Sequence, residues 1–138
     1  ITMENACTLW APRILGVLRI VTGYLFFWHG SAKLFGFPHV AMFDNLQIMS
    51  LVGLAGIIEV VFGILIFIGL FTRFSAFIAS GMSAAAYFIG HVATQGQFLL
   101  PMMNRGEAAV LFCFIFFYII FAGPGSWSID GMRKGKAA

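Results

Sequence analysis

Four apolar stretches, Ile14–Phe35, Met49–Leu70, Phe74–Thr94 and Gly106–Gly123, fill most of this chain. Each is close to the twenty or so residues that a helix needs to cross a bilayer core. Ionisable residues sit inside them or at their edges: Arg19, His29 and Lys33 in the first, Glu59 in the second and His91 in the third. Charge in hydrocarbon is expensive, so such groups turn toward protein, a cavity or one another. The pattern predicts an all-α, polytopic transmembrane four-helix bundle with antiparallel up-down connectivity.

Composition leaves little room for a different class. Of 138 residues, 61% are hydrophobic and 9% charged, with a mean hydropathy of +0.97. A soluble domain carries about a quarter charged residues, and one this small has too much surface to hide so many apolar side chains. One membrane domain over residues 1–138 is expected. The net charge of +3 is scattered and forms no stripe for nucleic acid. Arg13, Arg73, Arg133, Lys134 and Lys136 fall on one side of the predicted membrane, against Lys33 and Arg105 beside Asp44 and Glu107 on the other. That bias places both termini on the cytoplasmic side of a bacterial inner membrane. Cys7 and Cys113 form no CxxC pair and give no support to a thiol redox role.

The glycines report on packing. Gly16, Gly23 and Gly30 recur every seven residues, nearly on one stripe of the first helix, and Gly56, Glu59 and Gly63 share a face of the second. Small residues in such a stripe admit a neighbouring backbone, so Glu59 is expected to point into the bundle. Trp10 and Pro12 read as an interfacial lead-in, with the helix starting after them. Val40, Met42, Phe43 and Leu46 suggest a short surface helix in the first outer loop. Ser80, Ala84, Tyr87 and His91 lie on one face of the third helix. Glu107 falls in the first turn of the fourth, where the helix dipole favours an acid.

Antiparallel alternation would gather these groups into one polar network opening outward. Arg19 is expected to reach Glu59 and hold it ionised, while Glu59 and His91 are the candidates for proton transfer. Arg19, His29, Lys33, Tyr87 and Glu107 are the candidates for binding a ligand. A quinone or similar ring carbonyl would find donors here among aromatic walls. His29, His91 and Glu107 come from separate helices without a recognised metal-ligand motif, and no metal is assigned. The sequence contains no serine-nucleophile elbow, phosphate loop, HExxH or CxxCH.

An ordered set of short matches runs from about residue 13 to 131. It comprises Arg19, Gly23, Gly30 and Lys33–Leu34, then Glu59, Gly63, Leu65 and Gly69, then Thr72–Arg73, His91 and Arg105–Gly106–Glu107. It ends in Gly123-Pro-Gly-Ser-Trp-Ser-Ile-Asp130. The chain in this respect resembles the DoxX family of small bacterial membrane proteins. That resemblance implies a four-helix inner-membrane fold, some of whose members are associated with quinone-linked sulfur oxidation or with oxidative and thiol stress. Arg19, Lys33, Glu59, His91 and Glu107 match positions that look characteristic of it. The expected role is a membrane subunit of an oxidoreductase system, binding a quinone or lipid-like ligand and relying on a partner redox protein or on a homo-oligomer. A small transporter or channel, and a non-catalytic scaffold, are the alternatives.

Overall fold

The computed structural model describes residues 2–43, 47 and 49–137. Its helices are α1 (Met3–Phe35), α2 (Leu51–Ile68), α3 (Thr72–Gln95), α4 (Pro101–Asn104), α5 (Glu107–Ala122) and α6 (Ile129–Ala137). A 3₁₀ turn, Ala41–Phe43, stands where the surface helix was expected; Asp44 and Leu46 lie outside the described residues, as does Ile1.

Each helix ends where its local chemistry demands. The Thr2 hydroxyl caps α1 by accepting the N–H of Asn5, and Ser50 caps α2 through Gly53. Gly36 and Gly69 take left-handed conformations at the far ends, and the Gly69–Leu70 amides return to Ile66 and Leu65. The lead-in expected over residues 1–12 is instead the first turns of α1, with Pro12 inside the helix. Pro12 withholds one amide, and its own carbonyl accepts the Ser126 N–H, so the irregularity becomes a tertiary contact.

The expectation of four membrane-spanning helices is corrected to three among the described residues. α1, α2 and α3 are long and apolar enough to cross a membrane, whereas α5 has 16 residues. At 1.5 Å per residue it extends about 24 Å, short of a hydrocarbon core of about 30 Å. Arg105, left-handed at φ 61°, precedes it and Gly123, at φ 87°, stops it.

α1 packs chiefly on α2, and α3 on α5, with a lighter contact between α2 and α3. The glycine stripe does what its spacing implies. A Cβ at Gly30 would come within 2.6 Å of the Gly56 carbonyl, and one at Gly23 within 2.8 Å of the Phe67 nitrogen. Gly16 instead lies against the Ser126 carbonyl, beyond the end of α2. These contacts fix an antiparallel register in which Gly30 faces Gly56 and Gly23 faces the Gly63–Phe67 turn. The small core joins Phe26, Ile66, Ala76, Ala79, Phe116 and Ile119. Most other large apolar side chains face outward, among them Val21, Leu25, Ile64, Phe77, Phe114 and Phe117. Lipid is as apolar as these residues, so close backbone packing and polar anchors must hold the helices together.

Candidate functional site

The predicted single network is three separate polar sites. The first is a latch at the end of the molecule where α1 meets the chain after α5. Arg19 is completely buried and its guanidinium donates to four backbone carbonyls: Nε to Ile66 at 2.9 Å, Nη1 to Ser126 at 3.1 Å and to Pro124, and Nη2 to Trp127 at 2.6 Å. The expected Arg19–Glu59 pair is therefore not formed. The register is the reason, since it sets Arg19 opposite Ile66–Gly69 and leaves Glu59 nearer the other end of the seam.

The latch continues into α3. Phe71 adopts φ 51° and supplies no side-chain cap, so the α3 N-terminus takes its acceptor from elsewhere. Asp130 provides it, receiving the N–H of Phe71 at 2.9 Å and of Thr72 at 2.7 Å, while its own N–H donates to Gly69. Arg73 closes the opposite junction by donating to the Ile120 and Phe121 carbonyls, both at 2.8 Å, at the C-terminal end of α5.

Asp130 lies outside the spanning helices. Partial burial pushes its carboxyl up, but the two amides and the Arg133 charge outweigh that and hold it below its ordinary value of 3.8. The folded state thus favours the carboxylate. Its contribution is complete above the unfolded pKa and is lost as pH falls through the lower folded one. Unfolding in mild detergent should become easier as pH drops below about 4. Asp130→Asn keeps an acceptor but loses this titration, and its profile should be flatter over the same interval. A wild-type profile equally flat would exclude the carboxylate as the source.

The second site joins Lys33 to Glu59. Their charged atoms are 2.5 Å apart, in the α1–α2 seam, with the side chains 13% and 6% exposed. Glu59 does face inward, as its glycine neighbours imply. The Phe43 ring lies 5.7 Å from the ammonium. His29 sits one turn back from Lys33 but turns to α5, its ring 5.4 Å from that of Phe112. Just along the seam lies a cavity of about 250 Å³, lined by Tyr24, Phe27, Trp28, Gly63, Ile64 and Phe67. Gly63 is one helical turn from Glu59.

The third site closes the loop between α3 and α5. Asn104, fully buried, donates from Nδ2 to the Tyr87 hydroxyl at 3.1 Å and to the carbonyls of Gly96 and Gln97. Its Oδ1 accepts the Gly106 N–H at 2.9 Å, and Tyr87 in turn donates to Phe98 at 2.5 Å. His91 Nδ1 lies 3.1 Å from the Asn104 carbonyl. A carbonyl only accepts, so that nitrogen carries the proton and Nε2 is left as an acceptor in the neutral ring. Both Tyr87 and His91 belong to a seven-residue π-helical segment, Ala86–Val92, a widening often found where side chains have special tasks. Glu107 stands in the first turn of α5 and lines a shallow groove with Leu99–Met102, Val110 and Leu111. Sequence reading passed over Asn104, since a lone amide in a mostly apolar loop carries no periodic signal. Among the described residues, no three His, Cys, Asp or Glu side chains gather as a metal set.

The DoxX family model matches residues 14–92. The chain belongs to the DoxX family. A Haemophilus influenzae protein described as uncharacterized is 43% identical over 129 residues, covering 91% of this chain and 95% of its own length. No solved structure matches. Membership makes this a bacterial membrane protein of a family broadly linked to redox-associated membrane systems. The matched segment holds Arg19, His29, Lys33, Glu59, Tyr87 and His91, and stops before the Asn104 loop and the Gly123–Asp130 latch.

Proposed function

We propose that this DoxX-family protein is the membrane subunit of an oxidoreductase system, binding the polar head of a quinone or lipid-like molecule at Lys33–Glu59. Asp130 and Arg19 tie the segment after α5 to the α2–α3 turn and to α1, and the basic residues favour the cytoplasmic side for that end. One observation carries it: an ion pair at 2.5 Å, almost wholly buried, beside an aromatic cavity. A buried pair is a poor stabiliser, because desolvation cancels much of the attraction, and apolar residues of similar size hold helices as well. Lys33 has three N–H donors and Glu59 takes only one position around the ammonium, so a ring carbonyl can share it. The Tyr24, Phe27, Trp28 and Phe67 rings suit an apolar tail. The protein would supply binding and a proton-exchanging carboxylate, and a redox partner would supply the electron carrier.

Transport is less well supported by the same seam. A solute path past Glu59 needs space, yet Gly30 and Gly56 bring the two backbones together there.

Trp28 offers a direct test, because quinones quench indole fluorescence. In a Trp10→Phe, Trp127→Phe background reconstituted in lipid, a short-chain ubiquinone should quench Trp28 saturably. The double substitution Lys33→Met with Glu59→Leu should leave only the linear quenching of a quinone dissolved in the bilayer. Identical curves for the two proteins would overturn the proposal.

A further inference from the structure

The basic end of the molecule suggests a second ligand, independent of the Lys33–Glu59 site. We propose that the face formed by the start of α6 and the α2–α3 turn binds the phosphate of anionic phospholipids. α6 is fixed there by Asp130, whose carboxylate accepts from the Phe71 and Thr72 amides and also feels the Arg133 charge. Arg133 lies with its guanidinium 5.7 Å from the Phe71 ring, and Arg133 and Lys134 are both exposed. Arg73, by contrast, is committed to the α5 carbonyls and is not counted in this face. Arg13, stacked 4.7 Å over Trp10, adds another cation at the same end, where Pro12 meets Ser126. The other acid of this end, Glu4, is eight residues before Pro12 and so about 12 Å farther along α1.

Depth selects the occupant. Phe71, which lies under Arg133, is 55% exposed; Phe74, farther along the first turn of α3, and Trp127, two residues before α6, are each 62% exposed. Exposed tryptophan marks the boundary between acyl chains and headgroups, and Trp10 and Trp127 are both exposed at this end. That boundary sets Arg133 and Lys134 at the level of lipid phosphates, which anionic headgroups populate with negative charge. A nucleic acid or an acidic protein would instead have to approach over exposed phenylalanines. Arg133 and Lys134 therefore recognise anionic headgroups, while Trp127 and Phe71 rest in the interface.

The test uses the whole chain in bilayers, with Trp127 as the sole indole in a Trp10→Phe, Trp28→Phe background. Brominated phosphatidylglycerol and brominated phosphatidylcholine are compared as quenchers, each as a minor component of phosphatidylcholine membranes. At low salt the anionic lipid should quench at a mole fraction about fivefold or more below the zwitterionic one. The preference should fall toward unity in Arg133→Gln, Lys134→Gln, and also in wild type at high salt. Equal quenching by the two lipids would overturn the proposal and leave the basic face to an acidic protein surface. A preference untouched by both the double substitution and salt would overturn it too. The salt series needs no substitution at the basic residues, so it decides even if the double variant assembles poorly.

Discussion

Arg19→Met is expected to release the C-terminal segment from the bundle and to be among the most destabilising single substitutions in this chain. The guanidinium is fully buried and holds carbonyls from two distant places, Ile66 on α2 and Pro124, Ser126 and Trp127 after α5. Hydrogen bonds to a charged group are worth about 1.5–3 kcal/mol each, so losing only two of them costs about 3 kcal/mol or more. The abandoned carbonyls cannot bond to one another. Methionine fills the volume but offers no donor. Unfolding in mixed dodecylmaltoside–SDS micelles should shift to markedly lower SDS, and protease should cut near Trp127 under conditions where wild type resists. Arg19→Lys should recover only part of the loss, because a compact ammonium cannot fan out across four acceptors. A wild-type midpoint for Arg19→Met would show that the latch holds without its central donor.

The second large effect concerns Lys33 and Glu59, and its sign depends on how many partners are removed. Glu59→Leu alone leaves an ammonium in the α1–α2 seam without its counter-charge, and Lys33→Met alone leaves a carboxylate. Breaking one side of a buried pair costs about 3–5 kcal/mol, whereas replacing both sides by apolar residues is often neutral or stabilising. The double variant should therefore unfold near the wild-type midpoint, while each single variant falls well below it. Strong coupling of this kind, with ligand-dependent quenching lost only where the pair is lost, separates a binding role from a packing role. If the double variant is as unstable as the singles, the charges are needed for assembly and the case for a ligand weakens.

Arg19 and Lys33 show together what could be foreseen. Both are basic residues of α1, separated by 14 positions and hence by about 21 Å along the axis. On the sequence Arg19 was the expected partner of Glu59, and Lys33 was a candidate for binding a ligand. The choice depends on register, and register is set by which glycine meets which backbone. Gly30 against Gly56 brings Lys33 to Glu59. The same register carries Arg19 past the carboxylate to the end of α2, where it finds carbonyls. Every residue has a carbonyl, so no side-chain pattern announces that target.

Helix positions were legible because apolar runs and local stops are encoded residue by residue. The observed α2, Leu51–Ile68, and α3, Thr72–Gln95, lie within two residues of the stretches read from hydropathy. Inward orientation of Glu59 was legible as well, since its glycine neighbours must face a close partner. Span number was not: one apolar run reads much like another, but α5 stops at 16 residues between two backbone turns. Asn104 was equally hidden, because its four hydrogen bonds go to groups brought around it by the chain closing back on itself. What the sequence by itself determined was an all-helical membrane protein with charged groups turned inward. Only the tertiary structure decided which groups meet, because a polar side chain in an apolar medium bonds to whatever acceptor the helix register places within its reach.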